Sequence, residues 1–560
     1  MSRRGSTRNV NGKEKAPGSQ QNTEQNSKDS PAVGEKRKLS TVDSNRPKKT
    51  SRLLDSIRGG WDISNTNTRV IANYKELPNS RELQDNPEKL SSLPSATKRT
   101  YMTKGEKKGE GTFGIVFDVT DVAKPEQNQV MKISIADSGF FSEILALVKL
   151  NKHRKTPNIP RLFNWFISDQ LPPREGGWSK VNDIIANSSQ FRKGSSTNRL
   201  YGYLVMENAE GGTLASFFQH YRDNVPSIEH VWYTLDVTMF QLVFSVAALP
   251  QCGLLHRDLG GSNNILVGFV PRPNPEDTTD WVFAVGDTKF SFPRPSFKPI
   301  MIDYGTANHL ARNRSLKTDF RYTTLRYRAP ELIFISDSQP GTLQPWYTTT
   351  ADLFSIGMSI LEIVLGDFCQ RRKDVHRDDI YKCHPFMCYK CPQDLPKRLE
   401  DLHEHLLSVE KDSEETKENR DWCRMLRKGF IDKGESKLLA KYLWGMYHEL
   451  GVPNDDTWPG IESTHVWKLM NDVIQTRKNL NQNVPSPDGR LFDKPQLKQH
   501  FSESQRDILR EILQYNPKRR PDVIKVLQSD LFDHLRAKDQ AAKATWTISP
   551  KNPCSWPTHA

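Results

Sequence analysis

The sequence predicts an α+β fold with strands early and helices late, and three observations carry that expectation. Gly109-Glu110-Gly111-Thr112-Phe113-Gly114 lies among β-rich runs: Ile115, Val116, Phe117 and Val119 follow it, and Val130-Met131-Lys132-Ile133 comes next. Phe140 to Leu150 sets Phe140, Phe141, Ile144, Leu145, Leu147, Val148 and Leu150 at helix spacing. Ser355 to Gly366 is an apolar stretch of twelve residues that includes Glu362. It falls short of the roughly 18 to 20 residues a bilayer span needs and reads as a buried core helix.

A chain of 560 residues exceeds one ordinary domain of about 100 to 200, so more than one structural region is expected. Lys and Arg total 80 against 67 Asp and Glu, a formal charge of +13, and mean hydropathy is −0.68. This composition argues against an integral membrane protein and predicts no membrane partner. No apolar signal-peptide core follows the basic N-terminus, and seven cysteines are few and odd for a disulfide scaffold. A reducing, intracellular compartment is the expectation. Residues 1–60 hold fourteen Lys or Arg, six Asp or Glu and no Phe, Tyr or Trp, and so carry +8 of the total. Such a segment cannot bury enough apolar surface to offset its chain entropy, and residues 1–98 read as a disordered basic tail, with the folded region starting near Tyr101. Lys36-Arg37-Lys38 and Arg46-Pro47-Lys48-Lys49 have the layout of a bipartite nuclear import signal, which implies nuclear import machinery as a partner and the nucleus, otherwise the cytoplasm, as the location. The alternative is a solvated basic tail or a loose nucleic-acid contact; direct nucleic-acid binding is not the expected role.

A GxGxxG pattern alone is a weak signal. A dinucleotide-binding loop opens directly into a helix, whereas strand, glycine turn, strand is the layout of a lid over phosphates. Glycines let backbone N–H groups approach phosphate oxygens, and Lys132, on the next strand but one, supplies a point charge for them. The bland reading of Lys132 is an exposed strand lysine. Glu143, the one acid of the helix that follows, could orient Lys132 by an ion pair or be an ordinary solvated helix glutamate.

The chain then presents Leu254-Leu255-His256-Arg257-Asp258-Leu259-Gly260-Gly261-Ser262-Asn263-Asn264-Ile265-Leu266-Val267, Ile302-Asp303-Tyr304-Gly305 and Arg328-Ala329-Pro330-Glu331. With the glycine turn and Lys132, these motifs stand in the order of the eukaryotic protein kinase family, which the chain resembles over more than 220 residues. The resemblance implies a bilobal protein kinase fold: a small β-rich N-lobe with one helix, about 101–207, and a larger mainly helical C-lobe, about 208–535, with long insertions. It implies ATP and Mg²⁺ as cofactors, with Mn²⁺ as a substitute, and protein substrates. Asp258 would accept or orient the substrate hydroxyl proton, Asp303 would hold the Mg²⁺ bridging the phosphates, and an Asn would hold another. Asn263 has the usual spacing from Asp258 while Asn264 has the usual neighbours, so both stay candidates. Gly109, Glu110, Gly111, Thr112, Phe113, Gly114, Val116 and Lys132 would meet the nucleotide, with Met206 as gatekeeper and backbone groups of Glu207 and Ala209 meeting the base. Asp352 matches the family's buried aspartate under the catalytic loop, and Glu331 and Arg520 match the pair tying the activation segment to the C-lobe.

Thr324 stands where serine/threonine kinases carry threonine, which implies serine/threonine specificity. Arg328 before Ala329-Pro330-Glu331, the Gly109-Glu110-Gly111-Thr112 run and Glu449 to Gly460 are similar to the cyclin-dependent and mitogen-activated kinase group, implying a divergent and proline-directed member. The chain also departs from that group. Phe113 replaces an inhibitory tyrosine, and the cyclin-binding helix motif is missing, so a regulatory subunit other than a cyclin is the expected partner. Gly260 stands where serine/threonine kinases place a lysine near the transferring phosphate, a loss of roughly a few kcal/mol of charge stabilisation. A catalytically weak pseudokinase acting as a nuclear scaffold is therefore the competing reading. In the activation segment, Asp319 takes the place of the activating phosphothreonine, and of the family's three phosphate-binding arginines only Arg257 is matched; Ser142 and Asn308 fill the other places. An Asp319–Arg257 pair would make loop phosphorylation unnecessary, the alternative being phosphorylation of Ser315, Thr318 or Thr323.

The span 101–535 exceeds a typical kinase core, and the surplus falls at about 169–198, 268–299 and 367–439, with 536–560 as a C-terminal tail. The first two insertions, rich in Pro, Ser and Asn, read as surface loops. The third contains Cys369, His376, Cys383, His384, Cys388 and Cys391, among which Cys383, His384, Cys388 and Cys391 offer a structural Zn²⁺ set; the alternative is cysteines and histidines with no metal role.

Overall fold

The computed structural model describes residues 61–62 and 99–549, apart from 112–113, 193–198, 225–226, 262, 271–279, 310–322, 335–347, 371–385, 388 and 413–435. The small lobe runs β1 (Trp61–Asp62), β2 (Thr100–Met102), β3 (Lys107–Gly111), β4 (Gly114–Asp121), β5 (Gln129–Ile135), α1 (Ser138–His153), β6 (Leu162–Ser168), α2 (Gly177–Asn187), α3 (Ser189–Arg192) and β7 (Tyr201–Glu207). Its strands form one antiparallel sheet in the order β1-β2-β4-β5-β7-β6, with β3 paired to β4. Because side chains alternate along a strand, Met131 and Ile133 of β5 join Ile115, Phe117, Tyr203 and Trp178 on one face, while Val130 joins the main core on the other. Lys132 has the parity of Val130 and so falls on the face toward α1. That helix starts at Asp137, whose carboxylate accepts the N–H groups of Gly139 and Phe140, and stops at left-handed Arg154.

The large lobe contains α4 (Leu214–Asn224), α5 (Ile228–Gln251), β8 (Leu254–Leu255), β9 (Ile265–Phe269), β10 (Trp281–Val285), β11 (Thr288–Phe292), β12 (Phe297–Met301), β13 (Asn308–His309), α6 (Thr349–Gln370), α7 (Leu395–Asp412), α8 (Ser436–Leu450), α9 (His465–Asn479), α10 (Pro495–His500), α11 (Glu503–Ile512), α12 (Val523–Gln528) and β14 (Trp546–Ile548). The stretch 355–366 lies within α6, and residues 355–365 apart from half-buried Glu362 are buried, as the composition predicts. A longer apolar helix escaped the sequence reading. By length and composition Glu229–Gln251 could cross a membrane, yet most of it is buried among α6, α12 and the phenylalanines of β10 and β11. Its apolar character on all sides follows from that central position.

The first two insertions are not the surface loops expected. Between β6 and β7, Trp178, Val181, Asn182 and Ile185 recur at helix spacing and are buried as one face of α2. Between β9 and β12, β10 and β11 form a hairpin whose Phe283, Phe290 and Phe292 pack on Phe240 of α5. The expected C-terminal tail also enters the fold: β14 pairs in parallel with β10, and Ile548 is fully buried. The third insertion carries α7 at 395–412.

Candidate active site

Lys132 is buried between two carboxylates, with Nζ 2.7 Å from Glu143 Oε2 and 3.1 Å from Asp303 Oδ1. Burial alone would lower the lysine pKa; the charges of Asp303 and Glu143 outweigh it and raise the ammonium above its usual range. Burial pushes Glu143 upward, against the pull of Lys132. The sequence alternatives for both residues are thus resolved geometrically: neither is a solvated surface charge.

Asp303 is positioned by backbone strain. It has φ 64°, a left-handed conformation uncommon outside glycine, and opens the 3-10 turn Tyr304–Thr306. Tyr304 is fully buried with its ring 4.7 Å from His256, and its hydroxyl has no hydrogen-bond partner. His256 is neutral: burial drives its pKa down to about 4. Its Nε2–H donates to the Ile302 carbonyl, 3.0 Å, and Nδ1 accepts the Asp258 N–H, 3.3 Å. That pairing sets the tautomer.

The catalytic-loop backbone hangs on Asp352, whose carboxylate accepts the N–H groups of His256 and Arg257, each at 2.9 Å. Arg257 takes φ 73° and donates Nε to the Thr306 carbonyl at 2.6 Å. Asp258 is held from both sides. Oδ1 accepts the Thr324 N–H at 2.8 Å and its hydroxyl at 2.9 Å, and Oδ2 accepts Nδ2 of Asn264 at 2.9 Å. Burial pushes the Asp258 carboxyl up to about 6; the donors from Thr324 and Asn264 restrain the rise and the Asp303 charge adds to it.

The two asparagines separate here. Asn264 also donates to the Asp258 carbonyl, 2.7 Å, which fastens it beside the carboxylate, while Asn263 reaches Thr324 Oγ1 at 3.4 Å on the exposed side. The extra loop residue is absorbed by a turn in which both N–H groups point to the Gly260 carbonyl. A residue missed from sequence, Tyr327, explains Gly260: a Cβ there would lie 2.4 Å from the Tyr327 ring. Tyr327 donates its hydroxyl to Glu362, and its spacing before Ala329-Pro330-Glu331 was the available signal.

The glycine turn presents β3 and β4 toward this cleft. A Cβ at Gly109 or Gly111 would meet no protein atom, whereas one at Gly114, φ 144°, would strike the Ile133 carbonyl at 2.6 Å. Two glycines thus leave open space and the third packs against β5. Val116 pairs with both Gly109 and Lys132, and Glu110 pairs with Ile115. Met206 lies at the end of β7 opposite Val130, and the next residue, Glu207, anchors the lobe junction through Lys298 at 2.9 Å and the Arg161 N–H at 3.2 Å. Ala209 follows, half-buried.

Arg328 aims its Nε and Nη2 at the Thr323 carbonyl, 3.2 and 2.8 Å. Thr323 is buried with its hydroxyl on the Arg257 carbonyl, 2.6 Å. Glu331 and Arg520 form a buried two-pronged ion pair at 2.7 and 2.6 Å. Thr112, Phe113, Ser315, Thr318, Asp319, His376, Cys383, His384 and Cys388 lie outside the described residues, as do both basic clusters of the N-terminal segment; Cys391 is a free thiol. Among the described residues no three His, Cys, Asp or Glu side chains form a metal cluster.

A β lobe in which Val116 pairs with both Gly109 and Lys132, joined through the Lys132–Glu143 pair to Asp303 of a helical lobe that also carries Asp258, has the architecture of a protein kinase. The family model for the protein kinase domain matches residues 102–419, more than half of the sequence, and the chain belongs to that family. It is 28% identical over 268 residues to glycogen synthase kinase 3 of Trypanosoma brucei brucei, covering 47% of this chain and 58% of that one. It is 23% identical over 286 residues to mitogen-activated protein kinase kinase kinase 5 of Homo sapiens and of Mus musculus, covering 50% of this chain and 16% of each relative. The match therefore spans little more than half of the first relative and a small part of the others. A chain from the CAK complex of Chaetomium thermophilum bound to ATP-gamma-S aligns with a TM-score of 0.42 and 17% identity, over 77% of this chain and 90% of that one.

Proposed function

We propose that the protein is an ATP-dependent serine/threonine protein kinase. The observation that carries the reading is the joint presence of the buried Lys132–Glu143–Asp303 network and an Asp258 carboxylate held by Thr324 and Asn264. A module that only bound partners would have no use for two buried and two half-buried ionisable groups brought together in one site. Lys132, fixed by Glu143, supplies the cation for the nucleotide phosphates. Asp258 orients the substrate hydroxyl, and as the oxygen–phosphorus bond forms and the bond to ADP breaks, it takes the hydroxyl proton. A carboxyl near pKa 6 remains ionised at neutral pH, as that role needs.

The residues also fit Mg²⁺. Asn264 spends its N–H₂ on Asp258, which leaves its amide oxygen for a metal, and Asp303 has a second carboxylate oxygen beyond the one facing Lys132. Mg²⁺ usually takes only one or two protein ligands and completes its shell with phosphates and water, so a three-residue cluster is not required. Held by Asp303 and Asn264, Mg²⁺ would neutralise phosphate charge.

Arg328 supports a proline-directed preference. Its guanidinium occupies the Thr323 carbonyl, next to Thr324 on Asp258, so that carbonyl is engaged and a poor acceptor for the N–H of the residue after the phosphoacceptor. Proline has no N–H to leave unpaired.

Gly260 favours the second reading, a weak kinase that serves as a nuclear scaffold, because Tyr327 occupies the space a lysine would need. Phosphorylation of an oriented peptide library by the full chain, with Asp258→Asn and Asp303→Ala as controls, separates the two. Signal concentrated on Ser-Pro and Thr-Pro peptides is the expected result, and transfer no greater than in the controls would leave only the scaffold. Nuclear location through residues 36–49 belongs to the same proposal. Deleting residues 1–60 should abolish nuclear accumulation of a fluorescent fusion while peptide phosphorylation persists.

A further inference from the structure

The insert between β6 and β7 brackets β3, touching the chain that leads into it at one end and its glycine end at the other. At its start, α2 lies directly on the chain leading into β3: a Cβ at Gly177 would fall 1.8 Å from the Thr103 carbonyl oxygen, and one at Gly105 would fall 2.6 Å from that of Gly177. Trp178 donates its indole N–H to the Tyr101 carbonyl at 3.2 Å, and with Val181 and Ile185 completes the small-lobe cluster around Phe117, Phe166 and Tyr203. At the far end the buried Ser188 hydroxyl donates to Glu110 at 3.0 Å, and the Gln190 side-chain amide donates to the Gly111 carbonyl.

The contacts at the far end fall on a strand with little support of its own. β3 is largely exposed and, among the described residues, pairs only with β4, with an irregular register between Lys107 and Gly109. Glu110 and Gly111 close its glycine end. We propose that the 177–192 insert is a clamp that holds β3 from outside, with Ser188 and Gln190 as positioning residues, and thereby sets how tightly the cleft binds nucleotide. A loop already held loses less freedom when phosphates arrive, so part of the ordering cost is met before binding. The claim about affinity rests on the ATP-dependent reading above; the clamp itself does not.

The test uses the full chain with Ser188 and Gln190 both changed to Ala, and Asp183→Ala, on the exposed side of α2, as the control. In ligand-free protein, amide hydrogen exchange over 107–116 should speed up several-fold in the double variant while exchange over 178–185 and the melting temperature stay as in the parent. ATP affinity in the presence of Mg²⁺, measured by calorimetry, should weaken about 3- to 10-fold, the size of one or two exposed hydrogen bonds. KM for peptide and kcat should not move. Unchanged exchange over 107–116 overturns the clamp, and faster exchange with unchanged ATP affinity overturns its link to the nucleotide. If the parent binds no nucleotide, the kinase reading fails, and the exchange result judges the clamp by itself.

Discussion

Asp258 and Tyr304 each hold the fold at a disadvantage that a single substitution can expose. Folding raises the Asp258 carboxyl from its usual value to about 6, so ionising it at neutral pH costs stability. The sign follows directly: below about pH 4 the group is protonated in folded and unfolded chains alike and costs nothing, and the penalty grows as pH rises through 6. Asp258→Asn keeps an oxygen for Thr324 but turns its N–H₂ toward that of Asn264, a loss present at every pH, so its stability relative to the parent should rise by on the order of 1–3 kcal/mol between pH 4 and pH 7.5 in calorimetric scans. Activity should meanwhile fall by roughly 10² to 10⁴. Tyr304 buries a hydroxyl with no partner, and Tyr304→Phe should stabilise the fold by roughly 1–2 kcal/mol in thermal melts without loss of peptide phosphorylation. A lower melting point would mean that the hydroxyl is satisfied, for instance by water. Both residues were marked by their motifs, yet neither consequence was legible there, because burial and orphaned polar atoms are properties of the packed lobe. The choice between Asn263 and Asn264 was closed for a similar reason: spacing and neighbours disagreed by one residue, and only the turn at Gly260 decided which amide meets Asp258.

Between elements, the catalytic loop and the segment before Ala329-Pro330-Glu331 form one packed unit. Gly260 lies under Tyr327, Gly261 donates to Ser359 of α6 at 2.9 Å, and Ser355 of α6 donates to the Tyr327 carbonyl at 2.9 Å. Restoring the family's lysine by Gly260→Lys should therefore not raise turnover. It should force Tyr327 aside and lower stability by about 1–3 kcal/mol, the usual cost of overpacking, seen as a lower melting temperature and weaker peptide phosphorylation. A gain in kcat with unchanged stability would show that Tyr327 yields freely. The same scale separates what sequence reading recovered from what it did not. The α1 helix was legible because seven apolar residues lie at helix spacing behind the Asp137 cap. The α2 helix has the same logic in Trp178, Val181 and Ile185, but Pro172, Pro173 and a run of Asn and Ser around it carry the composition of a loop. Local polarity misled because the helix buries its narrow face on a sheet formed elsewhere in the chain.

For the whole molecule, two lobes were expected from the resemblance to the protein kinase family that the ordered motifs carry, and the family match bears out that fold. The closure of the large lobe was not predictable in that way. β14 follows β10 by about 260 residues, and nothing local in Trp546-Thr547-Ile548 says that it will pair with Phe283-Ala284-Val285. Its packing is nonetheless substantial: the Trp546 ring stacks on Phe283 at 4.7 Å and meets Trp281 at 5.0 Å, and the Ile548 side chain is fully buried. Removing residues 538–560 should uncover Phe283 and Trp281, destabilising the large lobe by about 2–4 kcal/mol, comparable to deleting one large core side chain. The effect should fall on the lobe before the Lys132–Asp303 network, whose hydrogen bonds run to Glu143 and within itself, although Trp546 lines one cavity with Glu207. Truncated protein should thus melt earlier by scanning calorimetry while peptide phosphorylation well below that melting point matches the full chain. An unchanged melting temperature would return the segment to the status of a tail, and a lost activity in still-folded protein would make the sheet of β10, β11 and β14 part of the catalytic apparatus.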